Sequence, residues 1–240
     1  MINNIRVLHK NILEVALVFD KVCKLHSLKY YLLGGTALGA ARHKGFIPWD
    51  DDFDVCMELC DYEKLLTLSE AFAEEGCTLI KERSDEFGLI FSKIKLNNSY
   101  YLEREVDRDS GRHQGVFIDV MCLSPGYDSK TLRKTQYLAA KILNAAALNS
   151  WGYETQSLPK KGAMFCFGLI VSKSVERFLL NFVRRPKLFS SENYLNHFFG
   201  RAPFNKAFIL KKYVAGDRNI SFEDLDFPVF VDLEGYLKSR

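Results

Sequence analysis

The sequence predicts an α+β protein in which a small mixed sheet is flanked by helices and followed by a helical C-terminal half. Three observations indicate this class. Apolar residues recur at helical spacing over residues 5–27, short apolar runs separated by turn residues occupy residues 29–121, and helical patterns dominate beyond residue 130. Hydrophobic residues make up 48% and charged residues 26% of the 240 residues, which excludes a disordered or collagen-like chain.

The first half of the chain alternates between helical and extended patterns. Its first helix is predicted over residues 5–27, where apolar residues return every three or four positions. Thr36 is expected to cap a second helix over residues 36–42, and a third helix is expected over residues 62–75. Apolar and aromatic runs bounded by turn residues predict strands over residues 29–33, 53–57, 77–81, 89–96, 100–103 and 116–121.

The second half is predicted to be mainly helical, and it is basic. Helices are expected over residues 130–149, 161–185 and 190–199, and the tail over residues 222–231 is partly extended. Because Pro125-Gly126 ends the strand-rich block, the chain is divided into residues 1–126 and 127–240. Residues 1–120 hold 15 Lys and Arg against 20 Asp and Glu, whereas residues 121–240 hold 18 against 10. The basic half indicates either an anionic partner or solvated helix faces.

Targeting and redox features favour a cytoplasmic protein. The apolar run over residues 163–171 is too short to span a bilayer, which needs about 20 residues. The N-terminal segment carries Glu14 in its apolar stretch and has no small-residue cleavage site, unlike a secretory signal. Six scattered cysteines without a CxxC pair predict buried free thiols rather than a disulfide scaffold or a zinc site.

A run of carboxylates is the strongest local signal for chemistry. Asp50, Asp51, Asp52 and Asp54 lie within five residues. Along a strand, Asp52 and Asp54 would project to the same face, where they would repel each other unless a cation lay between them. Oxygen ligands suit a hard divalent ion such as Mg²⁺ or Mn²⁺. The alternative interpretation is an acidic turn or a helix cap.

Two further features would converge on these acids. Gly34, Gly35 and Thr36 lie between a strand and a helix, where backbone amides can approach a phosphate closely. Asp119 is a lone carboxylate in the apolar run Phe117 to Val120. Because burying an unpaired carboxylate is costly, Asp119 is explained if it faces the same site as Asp52 and Asp54. Otherwise it is a structural residue that caps a neighbouring loop.

Five basic residues are candidates for contact with an anionic substrate. Arg42, His43 and Lys44 follow the glycine loop and could meet phosphates, or they form a surface cluster. Lys93 and Lys95 are two positions apart and therefore share one face of a strand. That face either meets the substrate or is solvated.

Together these motifs resemble the nucleotidyltransferase (polymerase-β-like) fold, in which Gly-Gly after a strand precedes Asp-x-Asp and a later third Asp. The stretch from Gly34 to Asp54, GGTALGAARHKGFIPWDDDFD, closely resembles the signature of the LicD family. Gly115 to Val120 resembles the second motif of that family. Three segments near the end of the chain resemble the C-terminal motif of that family: Phe222-Glu223-Asp224, Phe227-Pro228-Val229 and Tyr236-Leu237.

The LicD family transfers a phospho-alcohol from a CDP-alcohol to a sugar hydroxyl and releases CMP. The resemblance implies that Asp52, Asp54 and Asp119 are catalytic and hold one or two Mg²⁺ or Mn²⁺ ions, and that Asp119 can accept the proton of the attacking hydroxyl. Gly34, Gly35 and Thr36 would cradle the phosphates. Residues 1–126 would be the catalytic core, and residues 127–240 would form the basic, acceptor-side region.

The resemblance implies CDP-choline as the donor, a bacterial lipooligosaccharide or teichoic acid precursor as the acceptor, and no nucleic-acid partner. Choline would need an aromatic cage. Candidate cage residues are Trp49, Tyr100, Tyr101, Trp151 and Tyr153. The rival functions are transfer from another CDP-alcohol (ribitol, glycerol or ethanolamine), nucleotidyl transfer from an NTP, and a catalytically silent binding protein.

The segment over residues 162–171, with the basic residues that follow it, has two interpretations. It is either a core helix with basic outer positions or a surface helix that touches an anionic membrane. In the second case the protein would lie at the inner face of the plasma membrane.

Overall fold

The computed structural model describes residues 5–103, 111–185, 190–198 and 202–240, and it confirms the α+β class. The helices are α1 (Ile5–Leu25), α2 (Gly34–His43), α3 (Leu59–Leu65), α4 (Ser69–Glu74), α5 (Lys130–Ser150), α6 (Leu158–Ile170), α7 (Lys173–Arg184) and α8 (Leu233–Lys238). The strands are β1 (Tyr31–Leu32), β2 (Asp54–Glu58), β3 (Cys77–Ile80), β4 (Ser92–Leu96), β5 (Phe117–Tyr127), β6 (Ser190–Asn196), β7 (Phe208–Leu210), β8 (Arg218–Phe222) and β9 (Leu225–Val229).

A mixed sheet forms the centre of the described part of the chain. Its strands follow the order β1-β2-β5-β4-β3, and β6 and β7 continue the sheet from the far half of β5. Strands β2 and β5 are parallel, whereas β1 pairs with β2 and β4 pairs with β5 in the antiparallel direction. The second motif therefore lies directly beside the strand that follows the acidic run. A separate hairpin of β8 and β9 packs near α2 and β1.

Two buried apolar clusters fill the interior. The larger one covers the sheet and receives the apolar face of α1, where Leu8, Ile12, Val15 and Phe19 recur at helical spacing. The smaller cluster joins α5 and α7 through residues such as Leu143 and Val183. None of the described helices is long and apolar enough to cross a bilayer. All six cysteines are free, and Cys60 and Cys166 are exposed whereas the other four are buried.

The long helices α1 and α5 confirm the sequence predictions. Two other helices were each predicted as one continuous helix, which was wrong, because the structure divides each of them into two. The helix expected over residues 62–75 is split into α3 and α4, because the Thr67 hydroxyl donates to the Lys64 carbonyl and competes with the helical ladder. The helix expected over residues 161–185 breaks after Ile170, and the Ser172 side chain caps α7 by accepting from Val175 N–H.

Several extended segments also differ from the predictions. Residues 190–199 were expected to be helical, but β6 occupies 190–196 because it pairs with both β5 and β7. Strand β5 continues through Pro125-Gly126, which sit at a register shift rather than at a strand end. The described residues 100–103 form no strand, and the tail expected to be partly extended is the β8–β9 hairpin. The division into residues 1–126 and 127–240 stays a prediction, and β5 spans it.

Candidate active site

Three charged side chains lie in one row across the sheet. Asp54 at the start of β2 is the register partner of Asp119 on β5, and Asp119 is in turn the partner of Lys93 on β4. Because residues in register project to the same face, the two carboxylates and the ammonium group share a site. The backbone reinforces this register, since Asp119 N–H donates to the Phe53 carbonyl at 3.0 Å. The sequence analysis expected Asp119 to face the same site as Asp52 and Asp54, and the register places it on the same face as Asp54.

The acidic run comes immediately before β2 and brings three more carboxylates to the same end of the sheet. Asp50, Asp51 and Asp52 place one carboxylate oxygen each within 4.8 Å of one another. Asp52 lies two residues before β2 rather than inside a strand, and its charge interacts with that of Asp119. The backbone carbonyl of Asp50 is 2.7 Å from Nε2 of His9, so α1 helps to hold the loop in place.

Helix α2 begins beside these acids. Gly34 has a φ of +56°, which a residue with a side chain rarely adopts, and its N–H donates to the Tyr236 hydroxyl at 3.1 Å. A Cβ added at Gly35 would lie 2.8 Å from Oδ2 of Asp50, so the missing side chain leaves room for that carboxylate. The helix N-terminus presents its positive dipole end to this anionic region. The two glycines therefore lie where the sequence placed them, at the junction of strand and helix.

Thr36 has a different structural role from the one predicted. Helix α2 begins at Gly34, so Thr36 lies inside the first turn and is not its cap. Its buried hydroxyl accepts a hydrogen bond of 2.8 Å from the backbone N–H of Asp54. Thr36 thereby fixes the start of β2 against α2, and with it the position of the Asp54 carboxylate.

Burial and crowding raise the pKa values of the carboxylates. Burial raises the pKa of Asp52 to about 6, and the charges of Asp50, Asp119 and Asp51 add to the effect of burial. The pKa of Asp54 is raised by burial first and by Asp119 and Asp52 next. Burial also raises the pKa of Asp119, while the neighbouring ammonium of Lys93 opposes the shift. A divalent cation would relieve this mutual repulsion.

Lys93 and Lys95 point to the same side of β4, as predicted, but they differ in their surroundings. Lys93 is only 1% exposed; its ammonium is 2.9 Å from Oδ1 of Asp119 and 3.2 Å from Oε1 of Glu103. It also lies 3.3 Å from the centroid of the Phe117 ring. The half-buried Lys95 donates to the backbone carbonyl of His113 at 2.5 Å. Lys93 is therefore a built-in counter-ion of the acids rather than an exposed substrate contact.

The structure does not bring Arg42, His43 and Lys44 to the acids. These three exposed residues lie at the C-terminal end of α2, and the eight helical steps from Gly34 to Arg42 correspond to about 12 Å. The Lys44 carbonyl accepts from Glu223 N–H, and Oε1 of Glu223 accepts from Phe46 N–H at 3.1 Å. Their contact with phosphates stays a prediction.

Among the aromatic candidates for a choline cage, Tyr101 is the one with a contact to the acidic run. Its hydroxyl donates to Oδ2 of Asp51 at 3.1 Å, and its ring packs edge-on against Phe117. Trp49 is exposed and comes directly before Asp50, and Tyr100 is also exposed. Trp151 instead packs against Phe87, and the Lys160 ammonium lies over Tyr153.

Several contributors to the site were not assigned a role from the sequence. Tyr236 was part of a C-terminal motif, but nothing in the local pattern indicated that its hydroxyl reaches Gly34. Asp50 and Asp51 belonged to the acidic run without being chosen, and the run itself was the available signal. Glu103 and His9 carried no sequence signal that separates them from ordinary surface residues.

The comparisons with known proteins agree with this geometry. A family model described as LicD/FKTN/FKRP, nucleotidyltransferase domain, matches residues 27–141, which span the glycine turn, the acidic run, β4 and β5. The chain is 50% identical over 48 residues to the lipopolysaccharide cholinephosphotransferase LicD of Haemophilus influenzae, a segment that covers 20% of this chain and 18% of that relative.

Two proteins described as uncharacterized are also similar. One from Rickettsia prowazekii is 39% identical over 59 residues, which cover 25% of this chain and 22% of the relative. One from Rickettsia typhi is 53% identical over 30 residues, or 12% of this chain and 10% of the relative. The matched segments thus span less than a quarter of each of these curated relatives.

Proposed function

We propose that this protein, whose residues 27–141 belong to the LicD/FKTN/FKRP family of nucleotidyltransferase domains, transfers phosphocholine from CDP-choline to a sugar hydroxyl of a bacterial surface glycan or glycolipid, releasing CMP. The observation that carries the proposal is the cross-strand pair of Asp54 and Asp119, which lies next to the acidic run and the glycine start of α2. The name of the Haemophilus relative supports choline phosphate and lipopolysaccharide as substrate classes.

The acids fit a divalent metal ion. Asp52, Asp54 and Asp119 offer only oxygen ligands; burial raises the pKa values of all three, and repulsion from neighbouring carboxylates adds to the shifts of Asp52 and Asp54. Lys93 neutralises only one of the carboxylates, and Oδ1 of Asp119 is buried without a well-aligned hydrogen bond. We therefore assign these three residues to Mg²⁺ or Mn²⁺. When bound, the ion would neutralise the diphosphate of the donor and stabilise CMP as the leaving group.

The residues of the chain would supply positioning and proton transfer. Gly34 and Gly35 would bring backbone amides to the phosphates at the N-terminus of α2. Asp119 would take the proton of the acceptor hydroxyl, a role that its raised pKa favours. Among the aromatic cage candidates, Tyr101 contacts Asp51, and the exposed Trp49 comes directly before Asp50. We assign the choline group to these two rings.

Calorimetric titration of CDP-choline, CDP-ribitol, CDP-glycerol and CTP, with and without Mg²⁺, tests this proposal. We expect CDP-choline to bind most tightly and only with the metal. Asp54→Asn should weaken this binding by at least about tenfold, since it removes a negatively charged ligand of the metal ion. Asp226→Asn changes an exposed acid on the β8–β9 hairpin and should bind as the wild type does.

The same titration separates the rivals. Preference for another CDP-alcohol would retain the chemistry and replace the donor. Preference for CTP, with pyrophosphate instead of CMP released in a turnover assay, would replace the proposal with nucleotidyl transfer. Failure of all four nucleotides to bind the folded wild type would contradict an enzymatic function of this site.

A further inference from the structure

Helices α6 and α7 expose an unusual amount of apolar surface. Only Met164 of the 13 residues of α6 is buried. Phe165 is 60% exposed, Leu169 72% and Phe178, on α7, 71%. Leu158, Ile170 and Val175 are exposed as well. Large exposed apolar patches mark interaction surfaces in folded proteins.

Three apolar residues of α6 share one side of the helix. Leu158, Phe165 and Leu169 recur at helical spacing, whereas the buried Met164 points away from them, toward the rest of the protein. Helix α6 packs on α5, and α7 follows after two residues and also packs on α5. We call the exposed apolar side chains of these two helices the α6–α7 surface; they are Leu158, Phe165, Leu169, Ile170, Val175 and Phe178.

The charged residues that α6 and α7 themselves carry are almost all positive. Lys160, Lys161, Lys173 and Arg177 are exposed on the two helices. The one acid between residues 157 and 185 is Glu176, which is half-buried and paired with Arg83 at 2.5 Å. An apolar helix side bordered by lysines matches an interface with hydrocarbon beneath and anionic groups around it.

We propose that the α6–α7 surface docks in the plane of an anionic lipid bilayer. This inference rests on the proposed function in one respect, because docking would bring the site to a glycolipid acceptor, but its evidence and its test are independent of catalysis. Exposed apolar side chains would enter the headgroup region, and the four basic residues would contact lipid phosphates.

The structure favours a peripheral contact over two other arrangements. Thirteen helical residues extend about 20 Å, which is too short to cross a hydrocarbon core of about 30 Å. A second copy of the chain would place four basic residues against the same four residues across a twofold axis, and like charges oppose that arrangement.

Co-sedimentation with lipid vesicles tests the proposal. The wild type should bind vesicles of phosphatidylglycerol and phosphatidylcholine in equal parts, and bind pure phosphatidylcholine at least about tenfold more weakly. The double variant Phe165→Ser/Leu169→Ser should bind the anionic vesicles at least about tenfold more weakly than the wild type. Leu25→Ser, which changes a side chain that is 74% exposed at the end of α1, is the matched control and should bind normally.

The two exposed cysteines provide a second readout. A polarity-sensitive fluorophore on Cys166 of α6, in a Cys60→Ser background, should shift to the blue when anionic vesicles are added. The same label on Cys60 of α3, in a Cys166→Ser background, should not shift. These measurements need neither the nucleotide donor nor the glycan acceptor. The Phe165→Ser/Leu169→Ser variant and the two cysteine-to-serine variants should still bind CDP-choline in solution if the proposed function holds.

Three outcomes would overturn the docking proposal. They are equal binding of the double variant and the wild type, equal binding to both kinds of vesicle, and a blue shift of the Cys60 label alone. Sedimentation equilibrium tests self-association. If the wild type forms a dimer, the double variant does not, and neither binds vesicles, the surface would be assigned to self-association instead.

Discussion

Asp52, Asp54 and Asp119 are held closer together than their own charges favour. The folded chain tolerates this because Lys93 lies beside Asp119 and because Thr36 and the Phe53 carbonyl fix the backbone on both strands. The raised pKa values of the three acids record the free-energy cost of this arrangement without a metal. Such local cost is typical of functional sites, where side chains are placed for a ligand rather than for folding stability.

We predict that the metal-free protein loses stability as the pH rises from about 4 to about 6. The pKa of Asp52 is 3.8 in its ordinary state and about 6 in the folded protein, so the folded chain binds this proton more tightly than the unfolded chain does. The resulting stability is fully present below pH 3.8 and is lost as the pH rises through the folded pKa. Urea denaturation in EDTA over this range measures the effect.

Asp52→Asn should give a flatter dependence of stability on pH than the wild type, and Asp226→Asn should follow the wild type. Saturating Mg²⁺ should stabilise the wild type most above pH 6, where the acids are ionised and can bind the ion. Parallel pH profiles for the wild type and Asp52→Asn would show that folding does not raise the pKa of Asp52.

At the level of single residues, the sequence indicated which acids lie together better than it indicated the contacts they make. The three acids could be chosen because a buried carboxylate needs a partner and because the Asp-x-Asp spacing is local. The hydroxyl of Tyr236 could not be placed, since it reaches Gly34 across 202 positions of the chain. Lys93 was noticed as a basic residue, but its pairing with Asp119 depends on the register of β4 against β5.

At the scale of elements, α2 is held at both ends by the C-terminal part of the chain. Tyr236 of α8 accepts the hydrogen bond from Gly34 at the start of α2, and Glu223 between β8 and β9 bonds the backbone just beyond its end. The Phe222 ring also packs edge-on against Phe46, which precedes the acidic run, and against Phe53, which lies within it. The C-terminal motif thus contributes to the site by fixing the glycine helix in position.

We predict that Tyr236→Phe weakens CDP-choline binding by about three- to tenfold and lowers the free energy of unfolding by about 1 kcal/mol. The buried ring keeps its edge-on contact with Phe230, so the variant removes only the acceptor of the Gly34 N–H. Calorimetry and urea denaturation measure the two effects. Tyr213→Phe, on a half-buried tyrosine, is the control, and equal affinities for the two variants would refute a positioning role for Tyr236.

Elements with strong local periodicity were predictable, and those defined by pairing were not. Helices α1 and α5 carry apolar residues at helical spacing over about 20 positions. By contrast, β6 is a mostly polar segment, Ser190 to Asn196, whose extended form depends on partners in β5 and β7. Strand β5 passes through Pro125-Gly126 for the same reason, since its partner continues beyond them.

At the scale of the whole molecule, α7 is joined to the sheet region by ion pairs of very different burial. Arg185 pairs with Glu63 and Arg83 with Glu176, and each of these residues retains solvent contact. Arg184 and Glu82 form a fork of two hydrogen bonds of 2.5 and 2.6 Å, and both side chains are buried. The Tyr62 hydroxyl donates to the same carboxylate at 3.0 Å. This buried pair joins the helical layer to the sheet.

We predict that Arg184→Met lowers the free energy of unfolding by about 3 kcal/mol, because it leaves the Glu82 carboxylate buried without its cation. Glu82→Gln should be destabilising for the converse reason. The double variant should lose less than the sum of the single losses, since neither charge is then left unpaired. Urea denaturation of the four proteins measures the coupling, and Arg185→Met at the exposed pair should cost less than about 1 kcal/mol. Strictly additive losses would mean that Arg184 and Glu82 stabilise the protein independently, and that the connection between the helices and the sheet lies elsewhere.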